Sequence, residues 1–92
     1  MDVRDRVREE LLGWELDDDG IHKTIEVDDY GEAMALTVRI GLEAQRRNHH
    51  PDLTVRWGSV AVTLVTHDAD SSVTDADLDL AAWIDGVVPA SA

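Results

Sequence analysis

The chain has 92 residues, too few for two hydrophobic cores, and its lack of cysteine excludes disulfides, a thiolate nucleophile and cysteine-ligated zinc. Twenty acidic residues against eight basic ones give a formal charge of −12, which argues against nucleic acid or an anionic membrane as partner. The charged start (Asp2, Arg4, Asp5, Arg6, Arg8) has no apolar stretch behind it, so neither a signal peptide nor a membrane span is expected. A single domain over 1–92, in a reducing cytoplasm, is the reading these features support.

Residues 2–12 read as a helix, with Val3, Val7 and Leu11 on one stripe, Asp2 as N-cap and Gly13 as the stop. Trp14 and Leu16 give a brief strand signal, and Asp17-Asp18-Asp19-Gly20 a turn. That turn lacks the spaced ligands of a calcium loop. Ile21 to Val27 alternates as a second strand, with His22 on its polar side and Lys23 interrupting its apolar side. Asp29-Tyr30-Gly31-Glu32 is a capping-box pattern opening a helix to Arg46 or Arg47. Met34, Thr37, Val38, Gly41, Ala44 and Gln45 are expected on its inner side. Glu32, Arg39, Glu43 and Arg46 are expected opposite, with Leu36 and Ile40 either surface residues or part of a subunit interface.

Pro51 stops any helix and holds His50 extended. Leu53 to Trp57 alternates as a third strand, Gly58-Ser59 is the expected hairpin turn, and Val60, Val62 and Leu64 share one face of a fourth strand. After a polar loop, Thr74 caps a last helix whose apolar stripe is Ala76, Leu80, Trp83, Ile84 and Val87. Residues 88–92 read as a frayed tail. The order α-ββ-α-ββ-α predicts an α+β fold: one four-stranded antiparallel sheet from two hairpins, with three helices packed on one face.

Chemistry concentrates between Asn48 and His67, which hold three of the four histidines. Imidazole exchanges protons near neutral pH. A hairpin between His50 and His67 would bring His67 back towards His49 and His50, and Asp68, Asp70 and Asp77 are near enough in sequence to orient a ring. Three histidines and a carboxylate would also make a zinc set, but H-E-x-x-H is absent and adjacent histidines in an extended chain point apart, so no metal is expected. No nucleophile elbow, phosphate loop or dinucleotide fingerprint occurs. The alternative to a site is that the histidines are ordinary loop and strand-end residues, which is the reading kept for His22.

Asn48-His49-His50-Pro51, then Trp57, His67 and Asp77 at their spacings, resemble the pterin-4a-carbinolamine dehydratase family. Its animal members also serve as dimerization cofactors of a homeodomain transcription factor. Val60 to His67 is similar to the family's fourth strand, and the likeness runs over about residues 13 to 86. The resemblance implies a lyase that dehydrates a 4a-hydroxytetrahydropterin to the quinonoid dihydropterin, as in tetrahydrobiopterin recycling, with no cofactor because the pterin is the substrate. It implies catalytic His49, His50 and His67, with His49 and His67 as the acid–base pair and His50 mainly binding. Pterin contacts fall on His49, His50, Pro51, Thr66, His67, Asp68 and Ala69, with Asp77 and Trp57 in support. It further implies a homodimer or homotetramer. A non-enzymatic, partner-stabilising module of the same fold is the alternative. Gln45 stands where the family usually has a charged residue, and Leu53 where many members have an aromatic one.

The acid excess, with Lys23 the sole lysine, is also the composition of proteins from salt-accumulating microbes, where salt screens the self-repulsion. An ordinary acidic protein kept soluble by its charge is the alternative.

Overall fold

A computed structural model describes residues 2–66 and 72–88. The elements run α1 (Val3–Glu10), β1 (Glu15–Asp17), β2 (Gly20–Glu26), α2 (Tyr30–Arg47), β3 (Asp52–Arg56), β4 (Ser59–Leu64) and α3 (Asp75–Val87). The four strands form one antiparallel sheet in the order β1-β2-β4-β3. The α+β arrangement expected from the sequence is the one found.

Local signals account for most boundaries. Asp2 caps α1 by accepting the Asp5 N–H at 2.9 Å, and Asp29 caps α2 by accepting the Glu32 N–H at 2.8 Å. The Glu32 side chain reaches the Asp28 N–H at 3.4 Å instead of the cap residue's own, so the expected capping box is only half closed. At the β1–β2 turn Gly20 has φ +135°, and a Cβ there would lie 2.4 Å from the Leu64 carbonyl oxygen. Only glycine lets β2 begin against β4 at that point. The second hairpin turns at Trp57-Gly58, one residue earlier than Gly58-Ser59, because Arg56 already pairs with Ser59.

The core lies between the helices and one face of the sheet. Ile21 and Ile25 of β2 and Val60, Val62 and Leu64 of β4 point into it, meeting Val7 of α1 and Leu78, Leu80, Ala81 and Ile84 of α3. The alternate positions, among them His22, Thr24, Thr54, Ala61 and Thr63, face away from it, as a period of two requires. Lys23 sits on the core side but is not orphaned. Its ammonium donates to Asp85 at 2.8 Å and lies 5.8 Å from the Trp14 ring centre, while the Trp14 indole N–H donates to the same carboxylate at 3.0 Å. This triad ties β2 and the start of β1 to α3.

Helix α2 departs from the expectation. Its buried residues are Ala33, Leu36, Ile40 and Ala44, so Leu36 and Ile40 are core. Met34 and Val38, expected inside, are exposed together with Tyr30 and Leu42. At about 100° per residue the true inner face is rotated roughly a quarter turn from the expected one. The reason is that α2 carries two apolar arcs and one charged strip (Glu32, Arg39, Glu43, Arg46), and periodicity alone does not say which arc meets the sheet. In α3 the expected Leu80 and Ile84 are buried, but Ala76 is exposed and Asp77, Leu78 and Ala81 are inside.

The last turn of α2 is clasped by Glu43, which accepts from Arg46 at 2.5 Å and from Arg47 at 2.7 Å. These bonds, Arg46's first, hold its carboxyl down at about 2, against an ordinary 4.5. A lowered folded-state value means the clasp is complete above pH 4.5 and is lost as pH falls towards 2. Glu43→Gln should therefore lower stability at neutral pH and flatten the acid-unfolding curve over that window, read by circular dichroism against pH.

Candidate functional site

The site forms where the C-terminus of α2, the end of β4 and the start of α3 meet. Asn48 ends α2 in the left-handed conformation at φ 54°, which asparagine tolerates, and its N–H bonds back into the last turn. The His49 N–H donates to the Ala44 carbonyl at 3.0 Å. These bonds fix the chain direction at the histidine pair, and Pro51 then leads into β3.

His49 and Asp77, 28 residues apart, meet through a 2.5 Å hydrogen bond between His49 Nε2 and Asp77 Oδ1. Asp77 is 0% exposed. Its other oxygen accepts the Thr66 hydroxyl at 2.7 Å and the Thr74 N–H at 2.9 Å, and the Thr66 and Thr74 hydroxyls are 2.7 Å apart. A buried carboxylate held by several donors is a rigid acceptor. Because a carboxylate only accepts, His49 must donate from Nε2, which leaves Nδ1 as the ring nitrogen that can exchange a proton with a bound molecule.

His50 is exposed, and its Nε2 lies 2.9 Å from Gln45 Oε1. An amide oxygen also accepts only, so His50 is oriented in the same sense as His49, by a neutral partner.

Of the residues expected in the site, the structure brings together His49, Thr66 and Asp77, with His50 and Pro51 next in the chain. His67, Asp68 and Ala69 lie outside the described residues, as does Asp70. The backbone flanking them is joined, since the Thr66 N–H donates to the Ser72 carbonyl at 2.9 Å. Trp57 is not gathered in: it stands at the β3–β4 turn, 78% exposed, at the far end of β3 from Pro51. Leu53 packs half-buried against the core. His22 lies between Asp17 at 2.8 Å and Thr63 at 2.9 Å, away from the site. Among the described residues no group of three or more His, Asp or Glu side chains is placed to hold a metal. Thr74 was read only as a helix cap; its second part, a bond to Thr66 beneath Asp77, had a signal in the Thr74-x-x-Asp77 spacing.

A family model described as Pterin 4 alpha carbinolamine dehydratase matches residues 2–87. The chain belongs to the pterin-4a-carbinolamine dehydratase family. Relatives agree along nearly the whole length. The chain is 38% identical over 79 residues to an inferred pterin-4-alpha-carbinolamine dehydratase of Roseiflexus castenholzii, covering 86% of this chain and 84% of that one. It is 41% identical over 87 residues to a protein of the same inferred activity from Haloarcula marismortui, covering 94% and 89%. Among solved structures it is similar to a transcriptional coactivator/pterin dehydratase from Brucella melitensis, with a TM-score of 0.84, 25% identity and 92% of each chain covered. The His49–Asp77 bond thus joins the His49-His50-Pro51 segment to the first turn of α3. No helix among the described residues is long and apolar enough to cross a membrane.

Proposed function

We propose that the protein dehydrates a 4a-hydroxytetrahydropterin by histidine acid–base chemistry. The observation that carries this reading is the His49–Asp77 bond, because it holds one imidazole of the family's motif with a defined nitrogen presented for proton transfer. In the reaction the C4a–O bond breaks and the hydroxyl leaves as water, taking a proton from an acid. A ring N–H gives its proton to a base while its electrons close a double bond to C4a. Two imidazoles perform both transfers and need no cofactor. We assign them to His49 and His67, with His50 binding the pterin. His67 follows Thr66 directly in the chain, and the Thr66 hydroxyl donates to Asp77, the residue that holds His49. We assign the pterin contacts to Pro51, Thr66, Asp68 and Ala69 together with the histidines.

The test is the rate of dehydration of a chemically prepared 4a-hydroxytetrahydropterin with and without the folded protein. Acceleration that saturates with substrate supports the assignment; an unchanged rate rejects it. A second reading, a non-enzymatic module that stabilises a partner, draws on the coactivator named in the Brucella structure and on the exposed strip of α2. It predicts partner binding with no change in that rate.

We assign the strip Tyr30, Met34, Val38 and Leu42 to self-association in a homodimer or homotetramer. Nothing approaches Gly41 within 4 Å, so a second helix can lie close. Acids begin α2 and arginines end it, so antiparallel pairing is charge-complementary. We also read the acidic surface as an adaptation to a salty cytoplasm. The thermal midpoint should then rise between dilute buffer and molar KCl, as salt screens repulsion among charges summing to −12. A midpoint that does not rise removes this reading.

A further inference from the structure

At the end of β3 away from the histidine pair lies an open cavity of about 660 Å³, a size that small molecules occupy. Glu26, Asp28, Arg56, Trp57 and Ser59 are among the residues that line it. Strand pairing sets three of them in one row: Arg56 stands opposite Ser59, and Ser59 opposite Glu26. The row lies on the sheet face turned away from the core. The Val27 N–H donates to the Gly58 carbonyl at 3.0 Å, which carries the β2–β4 register one step further and brings Asp28 alongside Trp57.

The polar side chains here have no partners among the described residues. Ser59 is 9% exposed, yet its hydroxyl makes no hydrogen bond. No fully buried side-chain oxygen goes unpaired among the described residues, so this hydroxyl opens to the cavity. A hydroxyl held at a buried position without a partner is one that a ligand can satisfy at a gain. Arg6, Arg8, Lys23, Arg46 and Arg47 each find a carboxylate. Arg56 does not, although Glu26 is only two strand spacings away, about 10 Å between backbones. The Glu26 and Asp28 carboxylates also make no bond, and Trp57 beside them is 78% exposed.

These groups specify the charge of what binds. A simple cation would meet Arg56, and a simple anion would meet two carboxylates. A molecule carrying both charges a few bonds apart satisfies all three. We propose that this end of the sheet binds a zwitterionic α-amino acid with an aromatic side chain. Its ammonium donates to Glu26 and Asp28, and its carboxylate accepts from the Arg56 guanidinium and the Ser59 hydroxyl. Its ring stacks on Trp57. The site shares no residue with the His49–Asp77 pair and does not rest on the dehydratase reading.

The test follows the indole N–H resonance of Trp57 in ¹⁵N-labelled protein, identified by its loss in Trp57→Phe. It is run in the least KCl that keeps the chain folded, because salt screens exposed charges. L-Tryptophan should shift that resonance saturably. Tryptamine, which has only the ammonium, and 3-indolepropionate, which has only the carboxylate, should each bind about 3- to 20-fold more weakly, the range for a charged contact at a partly exposed site. Arg56→Gln should weaken L-tryptophan by a similar factor but leave tryptamine no weaker. Glu26→Gln/Asp28→Asn should weaken L-tryptophan and leave 3-indolepropionate no weaker. Ser59→Ala should weaken L-tryptophan without lowering the thermal midpoint, because the free protein loses no hydrogen bond there. Absence of a saturable shift with L-tryptophan would overturn the proposal. Tryptamine binding as tightly as L-tryptophan would reduce the site to a cation cradle and reject the zwitterion. A shift that survives both sets of charge variants would mean stacking on an exposed ring alone, and would reject it too.

Discussion

Replacing His49 by alanine should lower the dehydration rate by about 10²–10⁴-fold, the usual contribution of a positioned acid or base. Most of the loss should fall in kcat, because a group that moves a proton is needed most in the transition state. Asp77→Asn is the sharper experiment. Asparagine keeps the shape, and its oxygen can still accept from Thr66 and Thr74. Its NH₂ would then face His49 Nε2, which could only accept, and the ring proton would move to Nδ1. The nitrogen presented to the substrate would be capped in the resting enzyme. We expect a loss of about 10–10³-fold in kcat with little change in KM, and an altered pH profile, since the effect is on the tautomer. A drop in Asp77→Asn explained wholly by unfolding, with the folded fraction fully active, would reduce Asp77 to a structural cap. Chemical denaturation run beside the assay separates the two.

The second large effect concerns stability. Ile40 is 0% exposed, between α2 and the sheet. Ile40→Ala should cost about 2–5 kcal/mol through lost burial and the cavity left behind. A domain of this size shifts its midpoint by about 4–8 °C per kcal/mol, so a fall of roughly 8–40 °C is expected in thermal unfolding. Val38→Ala, on the exposed arc, should change the stability of the separate protomer by less than about 0.5 kcal/mol. Its effect should appear in the association equilibrium instead. The reverse pattern, with Val38 costly and Ile40 harmless at concentrations where the protein is monomeric, would contradict the packing described.

The histidine site was only partly legible in the sequence. The sequence offered Asp68, Asp70 and Asp77 as carboxylates near enough to orient a histidine, and the structure bonds Asp77 to His49. Asp77 on its own read as an ordinary first-turn acid, favoured by the helix dipole. Its burial under Thr66 and Thr74 follows from where α3 lands on β4, which no local pattern states. Trp57 shows the opposite failure: alternation made it the end of a strand, but the turn falls on it and leaves it in solvent. Lys23, which looked like a flaw in an apolar face, became acceptable only when Asp85, 62 residues later, arrived beside it.

By itself the sequence determined the element order, the caps at Asp2, Asp29 and Thr74, the glycine turn at Gly20 and the two hairpins. These depend on neighbours within about four residues, where backbone geometry and side-chain reach are decided. It also carried the family, through a spaced set of residues. Only the tertiary structure decided which of two apolar arcs of α2 is core, which nitrogen of His49 is bonded, and that Trp57 stands at the far end of β3 from the histidine pair. Each of these depends on which surfaces meet once the sheet has formed, and two arcs of similar hydrophobicity, or one carboxylate among twenty acidic groups, look alike until they do.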